Sequence, residues 1–149
     1  MKVPGFVWTL PIMAAAALVG APPSQAEPIF ANYQMNIPDR FDFHTWTWMM
    51  SHCQPAAEGC VRVKAIPMPN ARAYQYGGEA HRVDGRYTLT VDVPDGLRCG
   101  NVYYGPIIPT RDVYSWDATT LQGTMTSSFA AGCDGAPGTL TYPFWLSML

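Results

Sequence analysis

Beyond residue 26 the chain alternates. Apolar and polar side chains change places every second residue, the period of a half-buried strand, and helical spacing is nearly absent. Between Phe43 and Cys53, Trp46, Trp48 and Met50 share one face, and Thr45, Thr47 and Ser51 the other. Cys60–Ile66 repeats the pattern, with Val61, Val63 and Ala65 inward and Arg62 and Lys64 outward, until Pro67 and Pro69 end it. Ala73–Val83 is a weaker strand region interrupted by Gly77-Gly78, and Asp84-Gly85 is a hairpin signal. The next strand runs from Arg86 to Val93, with Tyr87, Leu89, Val91 and Val93 on its apolar face, before a turn at Pro94-Asp95-Gly96.

The same reading predicts a short edge strand at Asn101–Tyr104 and further strands at Asp112–Trp116, Leu121–Ser128 and Thr139–Met148. Pro143 asks for an edge position or a bulge within the last one. With no helices for parallel crossovers, the sheet is expected to be antiparallel. The expectation is an all-β fold, a meander of seven to eight strands forming a small barrel or sandwich. A strand within Ile29–Met35 could meet Leu140–Met148 and close it.

The first 26 residues differ from everything after them. Lys2 is followed by an almost wholly apolar run from Val3 to Gly20. Ala21–Ala26 then breaks any helix and leaves Ser24 and Ala26 three and one residues before a cut ahead of Glu27. This reads as a signal peptide helix at 1–26 preceding a single domain at 27–149. The competing reading is a retained membrane anchor, but Pro4 and Pro11 interrupt a stretch that is marginal against the roughly 20 apolar residues a span needs. The expectation is a secreted or cell-envelope protein with no stable membrane span after cleavage.

Composition narrows the picture further. Without Lys2 there are 9 − 1 = 8 basic and 11 acidic residues, a net charge of 8 − 11 = −3. That disfavours nucleic acid, whose binding depends on clustered Lys and Arg. Cys53, Cys60, Cys99 and Cys133 all follow the leader, and an even count in an exported chain points to two disulfides. Of three pairings, Cys53–Cys60 and Cys99–Cys133 are favoured. A zinc site is the alternative, but neither a C-x-x-C motif nor a His pair supports it.

The phrases Gly85-Arg86-Tyr87-Thr88-Leu89, Pro94-Asp95-Gly96 and Tyr114–Thr124 resemble those of small exported mycobacterial and actinobacterial β-rich proteins of a largely uncharacterised family. Similar segments occur in extracytoplasmic domains of membrane proteins in those bacteria. The likeness covers about half of the mature chain. It implies compartment and fold, and carries over no site residues.

Catalytic signals are thin. His44 and His52 lie about 26 Å apart along an extended strand, too far to share one ion, and His81 sits beside Arg82 in a polar stretch. No G-x-S-x-G, P-loop, EF-hand or dinucleotide motif occurs, so no cofactor is expected. Most carboxylates fall in turns; Asp92, on a polar strand face, is read as solvated or as part of a binding mouth. A hydrolytic enzyme is the weakest reading.

Aromatic residues are the stronger signal. Trp46, Trp48, Tyr87, Trp116 and Trp145 are the candidate ligand or interaction residues. Their ordinary role is core packing; the functional alternative is a cavity or groove. Phe144 and Trp145 must face opposite sides of a strand, so Trp145 is a candidate surface contact. The expectation is a non-catalytic binding module holding a small apolar ligand, or meeting a host protein, envelope protein or glycan through an aromatic patch.

Overall fold

The computed structural model describes residues 30–38, 40, 46–67, 74–101 and 105–149. The leader assigned to 1–26, His44 and positions 102–104 lie outside them. Eight strands follow in order: β1 (Asn32–Asn36), β2 (Trp46–His52), β3 (Cys60–Pro67), β4 (Tyr76–Val83), β5 (Arg86–Arg98), β6 (Ile107–Asp117), β7 (Gln122–Phe129) and β8 (Gly138–Met148). Each pairs antiparallel with its neighbour in the chain, and β1 pairs with β8 from Tyr33↔Met148 to Asn36↔Trp145. The result is a closed up-and-down barrel, which decides between barrel and sandwich.

Alternation becomes inside and outside. Val61, Val63 and Ala65 are buried while Arg62 and Lys64 are exposed. Tyr87, Leu89, Val91 and Val93 are buried in the same way. Asp84 and Gly85 both take positive φ, 50° and 78°, at the tip of a two-residue hairpin. Short connections at 53–59, 84–85 and 118–121 define one end of the barrel; the opposite, long-loop end carries Arg40, the segment Cys99–Asn101 and the 130–137 connection.

Two local expectations need correction. Pro94-Asp95-Gly96 is not a turn. β5 runs through it, and the register slips between Val93↔Thr110 and Leu97↔Ile108. Residues that favour turns also favour bulges. Gly96 is needed there because β6 comes so close that a Cβ would meet the Thr110 side chain. The chain instead turns at the 3-10 segment Cys99–Asn101, with Gly100 at φ 73°, so Asn101 is not part of an edge strand.

Pro143 sits in β8 without breaking it. Leu146 donates its N–H to Leu121 O on the β7 side. By alternation the nitrogen of residue 143 points toward the β1 side, past the last β1 pair, Asn36↔Trp145. The missing N–H therefore costs no ladder bond.

Both expected disulfides are formed. Cys53–Cys60 closes the 53–59 loop, and Cys99–Cys133 ties two connections at the long-loop end. Two disulfides fit an oxidising compartment. Among the described residues no helix is long and apolar enough to cross a membrane.

Candidate functional site: a packed interior and an uncharged outer face

Three of the five aromatic candidates face inward and meet one another. Trp48, Tyr87 and Trp116 are 3% exposed or less. The Trp48 ring lies 5.1 Å from Tyr114, 5.3 Å from Trp116 and 5.8 Å from Phe144, all tilted or edge-on. Tyr87 stacks on Trp116 at 5.4 Å. The interior of an eight-stranded barrel is about as wide as its side chains can fill. At this level those rings fill it, so a ligand contacting Trp48 or Trp116 would have to displace them. Trp46 opens β2, but its side chain is outside the described residues.

Toward the long-loop end the interior turns polar. Trp48 Nε1 donates to the Tyr76 hydroxyl at 3.0 Å, and the Tyr76 and Tyr114 rings stack at 5.5 Å. Beside them Asp112, 1% exposed, accepts from the Thr110 hydroxyl at 2.7 Å and from the Ser127 hydroxyl at 2.6 Å. Burial pushes the Tyr76 and Tyr114 phenols well above the usual tyrosine range, and the nearby Asp112 charge adds to this. Arg40, from the β1–β2 connection, donates to Gly96 O and to Met125 Sδ, and lies 5.6 Å over the Tyr142 ring.

Asp112 is the residue that sequence reasoning passed over. Its signal was parity: it shares the inward face of Tyr114 and Trp116, a carboxylate in a row of rings. Hydroxyl donors hold it, which is the arrangement of a structural hub. The described histidines lie elsewhere. His81 is exposed beside Glu79, and His52 is exposed at the short-turn end, its ring 3.7 Å from that of Phe30 and tilted 40° to it. Neither shares the interior with Asp112 and Ser127.

Cys53, Cys60 and Glu79 bring three potential metal-ligand atoms within 4.8 Å of one another. The two sulfurs are bonded to each other, and a disulfide supplies no thiolate for a metal. Asp92 is on the outer face, 78% exposed, 3.6 Å from Arg111. This ion pair edges a depression of about 490 Å³ lined by Val93, Pro94, Pro109, Phe129 and Ala130.

Trp145 is the exception among the aromatics. It is 42% exposed, while Phe144 next to it is 2% exposed. Its lateral neighbours are Asn36 on β1 and Gln122 on β7. Asn36 Nδ2 donates to Ser147 Oγ at 3.0 Å and to Trp145 O at 3.4 Å. The adjacent strands β7, β8 and β1 contain no Asp, Glu, Lys, Arg or His. By contrast, β3 and β4 present Arg62, Lys64, Glu79 and His81 outward. No protein-family model matches this chain, and neither does any curated protein or solved structure.

Proposed function

We propose that the protein is an exported, non-catalytic binding module that meets its partner with the outer surface of the barrel. One observation carries this reading: Trp145 stands exposed on three uncharged strands, while Trp48, Tyr87 and Trp116 occupy one another inside. An exposed large aromatic ring is costly to leave in water and effective in a contact. Export is supported by the leader-like first 26 residues and by two disulfides. The likeness to exported actinobacterial proteins points to the same compartment.

The test is retention on cell-envelope preparations. The wild-type protein is expected to bind them saturably, and Trp145→Ala to lose that binding without a change in melting temperature. Equal retention of both proteins overturns the surface reading.

The depression beside Phe129 supports a second reading, in which a small apolar ligand is held at the rim rather than in the core. Its lining is mostly apolar, with the Asp92–Arg111 pair at one edge. Saturable binding of a fluorescent fatty acid, lost in Phe129→Asp, would support it. Binding that survives the substitution would exclude this location.

A further inference from the structure

We infer that the face around Trp145 is a platform for an uncharged polysaccharide chain. This deepens the surface-binding reading and rests on it. On this face the indole is surrounded by side chains that both donate and accept hydrogen bonds. Gln34, Asn36, Gln122, Thr124, Thr141 and Ser147 share its outward parity on β1, β7 and β8. Neighbouring strands are about 4.8 Å apart and next-nearest residues on one face about 6.6 Å apart. The amides of Asn36 and Gln122 therefore flank the ring on either side, and hydroxyls continue along β8.

A pyranose ring has matching chemistry. Its axial C–H bonds form a weakly apolar face that stacks on an indole. Its hydroxyls, like those of Ser and Thr, both donate and accept, and Asn and Gln amides offer one group of each kind. From Thr139 to Ser147 the outward row of β8 extends about 26 Å at the usual strand rise, long enough for several sugar units side by side.

The absence of charge selects among partners. An anionic partner such as a nucleic acid, an anionic lipid or an acidic polysaccharide would leave its charges unmatched on these strands. A protein hot spot gathers several large aromatic side chains, often with Arg. Here one large ring stands among polar groups, with the exposed aliphatic side chains of Met148 and Leu149 following at the end of the same strand. A neutral chain of hydroxyls leaves no buried charge unmatched and no apolar surface exposed against water.

The test uses affinity electrophoresis of the full exported chain with four soluble neutral polysaccharides: an α-glucan, a β-glucan, a mannan and a galactan. Polygalacturonate is the anionic control. At least one neutral polymer is expected to retard the protein, with binding unchanged by 1 M salt on the order expected for uncharged contacts. Trp145→Ala is expected to weaken it about tenfold or more, and Trp145→Tyr to restore part of it, with melting temperatures unchanged.

Failure of all four polymers, equal binding by Trp145→Ala, or binding only to polygalacturonate overturns the inference. The parent reading is judged separately. If Trp145→Ala loses envelope retention while no neutral polymer binds, the surface module stands and the glycan assignment falls. If envelope retention is unaffected, both fall.

Discussion

Ser127 on β7 and Asp112 on β6 meet inside the barrel, hydroxyl to carboxylate, at 2.6 Å. They are direct cross-strand partners, and Thr110 donates to the same carboxylate oxygen. Removing the acceptor strands both hydroxyls in a place water does not reach. Asp112→Ala is therefore expected to lose about 3 kcal/mol in urea unfolding. Asp112→Asn keeps a carbonyl acceptor and is expected to lose less. Equal stability of all three proteins would show that the cluster contributes nothing.

The buried phenols predict an alkaline limit. Tyr76 and Tyr114 have raised pKa values because burial penalises their charged forms. Above pH about 10 the unfolded chain has released these protons and the folded protein still holds them. The folded state then binds more protons, so stability is complete below that pH and falls as pH rises. The slope is about 1.4 kcal/mol per pH unit for each phenol. Tyrosinate absorbance from these two residues is expected to appear together with loss of near-UV circular dichroism. Ionisation that precedes unfolding would contradict their burial.

At the opposite extreme of pH, Asp117 is informative. Its Oδ1 accepts backbone N–H groups of Thr120 at 2.8 Å and Thr119 at 2.9 Å in the β6–β7 turn. These bonds hold its pKa below the ordinary aspartate value. The stabilisation is present above the unfolded-state pKa and is lost as pH falls through the folded one. An NMR titration is expected to find the midpoint below 3.8, with the amide shifts of Thr119 and Thr120 moving in step. A midpoint at or above that value would dismiss the turn bonds.

The two disulfides should contribute unequally. Cys99–Cys133 closes a separation of 34 residues and Cys53–Cys60 one of 7. Constraint of the unfolded chain grows with loop length, giving about 4 and 2.5 kcal/mol respectively. The Cys99→Ser/Cys133→Ser pair is expected to melt lower than Cys53→Ser/Cys60→Ser. The reverse order would mean that the unfolded state is already structured around one bridge.

Gly96 and Thr110 give a paired test of the β5 bulge. A Cβ at residue 96 would collide with the Thr110 hydroxyl. Gly96→Ala is expected to cost about 2 kcal/mol, and less when Thr110 is already Gly. Additive costs would mean that the strands do not approach as closely as described.

The strands were legible because each inner position carries a side chain that water rejects. Tyr87, Leu89, Val91 and Val93 could be assigned to the core from spacing alone. The bulge was not legible, because Pro, Asp and Gly satisfy a turn and a bulge by the same conformational preferences. Asp112 was hidden for a different reason. Its acceptable burial depends on Thr110 and Ser127, and Ser127 reaches it only through the β6–β7 register. Trp145 could be turned outward by parity with Phe144, but its uncharged surroundings come from three strands that meet only once β1 closes on β8. Arg40 could not be linked to Gly96, Met125 or Tyr142 before that closure brought them together.

Pro143 has a consequence for how these molecules behave in a crowd. Among the described residues β8 runs on past its last pair with β1, Asn36↔Trp145, and a strand edge of that kind normally offers N–H and C=O groups to a passing chain. At the first outward-pointing amide beyond β1 this protein has a pyrrolidine ring, which can neither donate nor lie flat against an incoming strand. A chain pairing with this side of β8 would find one donor missing beside the last β1 pair.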